Sequence, residues 1–144
     1  MIIDSNYRTV ATVQTGGNVH PVDMHEFQLL NDGESALVMT YHTIPYDLTY
    51  WNVSSGLGWL QEGVFQEILI ETGEVLLEWF SSNHVDPTAG LVLPDTSDIS
   101  GDGLGPHTAW DYFHVNSIEK SPTTGNYMIS ARHTSTIVSV SVSF

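Results

Sequence analysis

Apolar and polar residues alternate along most of this chain, and the period is two. Tyr7, Thr9, Ala11 and Val13 fall on one side, with Arg8, Val10 and Thr12 on the other, which predicts a short half-buried strand ending at Gly16-Gly17. His25 to Leu30 and Ala36 to Tyr41 flank the turn Asn31-Asp32-Gly33-Glu34 and predict a hairpin. Val64 to Ile70 and Val75 to Phe80 flank Glu71-Thr72-Gly73-Glu74 and predict a second. Val115 to Glu119 and Tyr127 to Ala131, around Ser121 to Asn126, predict a third, followed by a β-branched tail from Thr136 to Val142. Helical periodicity does not emerge, so the fold class is all-β.

Between Ser81 and Trp110 the alternation lapses into Asp, Ser, Gly and Pro, as in a functional loop capping one end of a sheet array. An echo runs across it: His25 opens a unit that closes with Leu37 to His42, and His114 opens one that closes with Tyr127 to His133. Related four-stranded units with loop insertions are how propeller blades read in sequence. The expectation is one domain over residues 1–144, a partial β-propeller of two to three antiparallel four-stranded blades, with 81–110 as a long inter-blade loop. Blade faces without neighbours predict self-association.

Composition narrows the partners. The 144 residues carry 3 cations against 17 carboxylates, a formal net charge of −14, which makes nucleic acid and anionic lipid poor candidates as partners. Hydrophobic residues make up 41%, enough to bury a core. The absence of cysteine removes disulfides, thiolate zinc sites and cysteine nucleophiles. The amino end shows neither a basic segment followed by an apolar one nor a spanning stretch. Asn52-Val53-Ser54 has the form of a glycosylation sequon, which also reads as a plain surface loop.

Three polar clusters end strands: Asp23 to Phe27, Trp110 to Ser117, and Ser130 to Ser135. In repeated units equivalent strand ends meet on one rim, so His25, His114 and Arg132-His133 are candidates for a single site. A histidine so placed is otherwise a hydrogen-bonded structural residue. Arg132 ends an apolar strand, where a buried guanidinium needs an anion, either a carboxylate such as Asp23 or Asp111 or an anionic substrate.

These clusters, together with Gly63 to Glu67 and Glu71-Thr72-Gly73-Glu74-Val75, resemble the arylsulfotransferase family, especially its fungal branch, over roughly residues 20 to 140. The resemblance implies a β-propeller enzyme that moves a sulfuryl group from a phenolic sulfate to a phenol through a sulfated histidine, with no cofactor. It implies that His25, His114 and Arg132 hold and polarise the sulfate oxygens; Asn116 and His133, beside them in the same clusters, and Trp51, in a loop between Tyr50 and Asn52, are the candidate substrate contacts. It implies secretion, although no signal peptide precedes the motifs. The family's nucleophilic histidine lies in a motif downstream of His133 that no residue here matches, so the expectation is a truncated chain without turnover of its own.

Three alternatives stand beside it. Asp98-Ile99-Ser100-Gly101-Asp102-Gly103 follows the start of a calcium loop but has Ala109 where the twelfth-position Glu belongs, and an acidic glycine-rich turn explains it equally. Asp23, His25, His114 and His133 have the chemistry of divalent-metal ligands without a tight two-histidine spacing. A partial propeller bearing Trp51, Trp59, Trp79 and Trp110 also suits a non-catalytic binding or assembly module, with Trp79 in the core and Trp51 free for ligand.

Overall fold

A computed structural model describes residues 1–53, 57–95 and 100–142. Ten strands and short 3-10 turns, with no α-helix, make up its regular structure among the described residues. β1 (Ile2–Ile3) and β2 (Thr9–Ala11) form an antiparallel ribbon. β3 (Phe27–Leu30), β4 (Ser35–Asp47), β5 (Leu57–Leu69) and β6 (Val75–Phe80) follow one another across an antiparallel sheet, which β7 (Trp110–Asp111) joins parallel to β5. β8 (Val115–Lys120), β9 (Tyr127–Ala131) and β10 (Thr136–Val140) make a three-stranded antiparallel sheet. No described helix is long and apolar enough to cross a membrane.

The three expected hairpins are present, but the sheets hold two, five and three strands rather than four each. The central hairpin is the reason. β4 and β5 pair from Ser35↔Leu69 to Asp47↔Leu57, well beyond the apolar runs, because continued pairing satisfies backbone groups that would otherwise need other partners. β5 then has a long second edge, which β6 occupies at Val64–Ile68 and β7 at Leu60–Gln61. The expected strand at 7–13 is shortened because the Asp4 carboxylate accepts the N–H groups of Asn6 and Arg8 at 2.8 and 2.9 Å. That turn leaves Tyr7 at φ 60° and exposed.

Both faces of the central sheet are covered. Leu37, Met39, Phe65, Trp79, Phe113, Val115, Ile118, Tyr127 and Ile129 fill the main core, shared with the three-stranded sheet. Val13, Ala36, Val38 and Ile68 fill a smaller one on the opposite face. There the buried Gln66 amide exchanges two 3.0 Å hydrogen bonds with the backbone of Gly16, holding the amino-terminal segment in place. Gly63 permits the close approach of the site-bearing segment: a Cβ on it would lie 3.0 Å from the Phe113 ring and 3.1 Å from Val115 Cγ1.

One polar network joins the two larger sheets. Glu67 of β5, 3% exposed, accepts from Lys120 Nζ of β8 at 2.6 Å, Ser35 Oγ of β4 at 3.0 Å and the Tyr127 hydroxyl of β9. Burial opposes ionisation of this carboxyl, yet the hydrogen bonds from Lys120, Tyr127 and Ser35, together with the Lys120 charge, hold it below the usual carboxylate range.

Candidate functional site

The site is built where the central sheet hands the chain to the three-stranded one. After β7 the chain turns through Tyr112 and Phe113, and His114 adopts φ 50°, a left-handed conformation uncommon outside glycine. Asp111 holds it there. One carboxylate oxygen accepts the His114 backbone N–H at 2.9 Å, and the other pairs with His114 Nδ1 at 2.6 Å. A carboxylate accepts only, so Nδ1 carries the proton and Nε2 is left for other chemistry.

His25 is presented by the same device. The chain from His20 to Leu30 runs antiparallel along the edge of β4: His20 N–H donates to Tyr41 O, Asp23 N–H donates to Met39 O, and β3 continues from Phe27↔Val38. Residues 24–26 interrupt this pairing, which leaves Met24 93% exposed. Asp23 Oδ1 accepts the His25 backbone N–H at 2.9 Å and pairs with His25 Nδ1 at 2.5 Å.

His133 arrives from the end of β9. Its N–H donates to Phe113 O at 3.2 Å, and the Arg132 N–H donates to His114 O at 2.9 Å. Its Nδ1 donates to the Asp111 carbonyl at 2.6 Å, so Asp111 orients two imidazoles at once. The long loop supports both residues from behind, since Leu91 N–H donates to His133 O and Asp111 N–H to Ser100 O.

Three imidazoles thus meet. The His114 ring centroid lies 4.5 Å from that of His133 and 6.2 Å from that of His25, and Tyr41 stands 6.3 Å away. Tyr41 is a wall of the site, with its hydroxyl donating to Val115 O at 3.1 Å. Burial, and then the charges of Asp111 and Asp23, push its phenol above the ordinary value, so both carboxylates lie within electrostatic reach of one spot. One ligand atom from each of Asp111, His114 and His133 lies within 4.8 Å of the others.

Among the expected site residues, His25, His114 and His133 come together from separate elements. Arg132 is exposed and forms no ion pair with Asp23, Asp111 or any other described carboxylate. The expected burial is corrected, because the turn after β9 sends the side chain into solvent, and of the two anions expected for it the carboxylate partner is not formed. Asn116 is the extra residue of a β-bulge between Val115↔Ala131 and Ser117↔Ser130, a feature that re-aims side chains beside sites. Trp51 is half-buried and packs on Trp110 at 4.6 Å, at the rim of the main core. Trp79 is in the core as expected, 5% exposed.

Tyr41 was not among the expected site residues, and nothing in the alternation of β4 distinguishes it. Asp23 and Asp111 were expected only as partners for Arg132 or a metal. Their spacing two and three residues before a histidine was the available signal, since a short carboxylate accepts a backbone N–H at that distance. Asp98 and Ile99 of the candidate calcium loop, and Ser54 of the sequon, lie outside the described residues. Asp102 of that loop spends one oxygen on Thr108 Oγ1 and the Leu104 N–H, which hold its carboxyl below the usual range.

A family model described as Arylsulfotransferase (ASST) matches residues 1–143. No curated protein and no solved structure matches the chain with significance.

Proposed function

Because this chain belongs to the arylsulfotransferase family, we propose that His25, His114 and His133 form the cradle for the sulfate group of an aryl sulfate ester, whose sulfuryl group passes to a phenol. The observation that carries the reading is the meeting of three imidazoles whose Nδ1 atoms are each engaged, by Asp23, by the Asp111 carboxylate and by the Asp111 carbonyl. Each ring therefore offers Nε2 alone, held in orientation before a ligand arrives. Sulfuryl transfer spreads charge over the equatorial oxygens and the bridging oxygen. An imidazole protonated at Nε2 as well becomes a fixed N–H donor, which stabilises that charge and donates to the departing phenoxide.

Arg132, which follows the end of β9 and is joined to His114 through its backbone N–H, and Asn116, on its bulge, are the proposed polar contacts beside this cradle. Trp51, half-buried on Trp110, is the proposed aromatic contact at the rim. No side chain here is assigned as the group that accepts the sulfuryl, so binding rather than turnover is the function proposed for these residues. The family's β-propeller arrangement is part of the same proposal. It is supported by hairpins β3–β4 and β8–β9, each entered through a histidine, His25 and His114.

Titration with p-nitrophenyl sulfate, followed by tryptophan fluorescence, tests the reading. Saturable binding is expected, weakened about tenfold or more by His114→Ala and unchanged by His20→Gln, an exposed histidine outside the cluster. Absence of saturable binding, or equal binding by His114→Ala, would overturn it. Self-association is supported by β10, an edge strand that leaves Ile137 72% exposed. A monomer by light scattering at high protein concentration removes that part.

A further inference from the structure

β3 closes one side of the central sheet and β8 one side of the three-stranded sheet, and neither has a strand beyond it among the described residues. The two edges are the walls of a groove. One part of it, about 280 Å³, lies between Glu26, Gln28 and the segment Ser117 to Glu119; the next, about 510 Å³, lies between Gln28 to Asn31 and Glu119 to Ser121. Gln28 and Glu119 are common to both parts, so the groove is continuous. Residue numbers rise together along its two walls, and β3 and β8 therefore run side by side in the same direction.

The backbone of β3 is open toward this groove. Met39 O and Tyr41 O accept from Asp23 and His20, so the odd-numbered residues of β4 turn their backbone groups toward that edge. Leu37 and Ser35 then bond Gln28 and Leu30, their register partners, while Phe27 and Leu29 turn their own N–H and C=O outward. The Phe27 N–H is met by the Glu26 carboxylate at 3.2 Å. The Leu29 N–H and both carbonyls have no hydrogen-bond partner among the described residues. Edge strands are ordinarily blunted by Lys, Pro or a bulge. Phe27-Gln28-Leu29-Leu30 has none of these, and Phe27 and Leu29 are 37% and 47% exposed.

A second observation comes from a side chain. Gln28 lines both parts of the groove, and its Oε1 is buried without a hydrogen-bond partner. Such an acceptor is costly to leave unpaired, and a donor carried by a ligand recovers that cost.

Charge selects the ligand. Half-buried Glu26 and exposed Glu119 stand on opposite walls, whereas the ammonium of Lys120 is spent on Glu67 at 2.6 Å. In a chain of net charge −14 this groove attracts a cationic partner. A second copy brings 17 carboxylates with 3 cations and is repelled. From the open edge, the unpaired amide and the two carboxylates we infer that the groove between β3 and β8 binds an extended basic peptide segment of another protein. The segment adds a strand to β3 and sets Lys or Arg side chains against Glu26 and Glu119.

The test uses the full chain and a fluorescein-labelled peptide of alternating Val and Thr flanked by lysines, followed by anisotropy. Saturable binding is expected. It should weaken about tenfold or more when glutamate replaces lysine, and equally when every Val and Thr is N-methylated, which leaves no N–H for the ladder. Leu29→Pro should also weaken it about tenfold or more, because it removes the outward N–H and leaves the bonds of Gln28 and Leu30 to β4 in place. Near-UV circular dichroism shows whether this variant keeps its packing. Where it does not, the N-methylated peptide carries the test together with Glu119→Gln, expected to cost about threefold. No saturable binding of the lysine peptide, equal binding of the glutamate peptide, or unchanged binding of the N-methylated form overturns the proposal. So does self-association, by light scattering, that a properly folded Leu29→Pro variant abolishes, since the edge then belongs to a second copy. Binding is read without aryl sulfate and is independent of the function proposed above.

Discussion

Two polar clusters join the same two sheets, and they are used differently. Around Glu67 both carboxylate oxygens are engaged, one by Ser35 and the other by Lys120 and Tyr127, in a place 3% exposed. Around Asp111 the carboxylate and carbonyl are equally committed, but they commit only one nitrogen of each imidazole, and His25 stands half exposed at the opening. The first network ends within the protein. The second is complete on its inner side and unfinished on its outer side. Nε2 of His114 and of His133 has no hydrogen-bond partner among the described residues and is not sealed in the core, so the outer side is where a ligand can be taken up.

The contrast predicts that the Glu67 cluster governs stability and the histidine cluster governs binding. The largest effect should come from Glu67→Ala, which strands Lys120, Tyr127 and Ser35. A loss of about 3 kcal/mol in urea unfolding is expected, and a loss below about 1 kcal/mol would break the comparison. Asp111→Asn comes next on the other side. It replaces a charged acceptor by an amide, so p-nitrophenyl sulfate binding should weaken about tenfold while unfolding free energy falls by only about 1 kcal/mol. If the stability loss matched that of Glu67→Ala, the two clusters would not differ in kind.

Acid sharpens the same comparison. The Glu67 carboxyl is held below its usual range in the folded chain, so its stabilisation is complete above the unfolded-chain value of about 4.3 and is lost as pH falls through the lower folded value. The stability gap between the native chain and Glu67→Gln should be constant from about pH 7 to about pH 5 and close in stronger acid. A gap that persists there would mean that the carboxylate charge does not matter. The smallest effect belongs to Arg132→Ala: stability within about 0.5 kcal/mol, and aryl sulfate binding reduced by no more than about fivefold, the range of an exposed charge pair.

The hairpins, their turns and the core positions were legible because strand alternation and Gly-bearing turns are local signals, and β3–β4, β5–β6 and β8–β9 follow them. The reach of β4 and β5 to Asp47 and Leu57 was not, because those residues extend the ladder through backbone pairing rather than through an apolar pattern. The histidines were legible as strand-end residues in echoing units. Tyr41 was invisible, since its part in the site depends on a hydroxyl reaching Val115 on another sheet.

Sequence alone determined the all-β class, the acidic balance and the family, and it set Asp23 and Asp111 two and three residues ahead of the histidines they engage. Each of these is a matter of composition or of neighbours a few residues apart. Tertiary structure alone decided that Asp111 also holds His133, that the three rings touch, that Arg132 faces solvent and that Trp51 lies on Trp110. Those contacts join residues far apart in the chain, and only the docking of one sheet against the other brings them within hydrogen-bonding or van der Waals range.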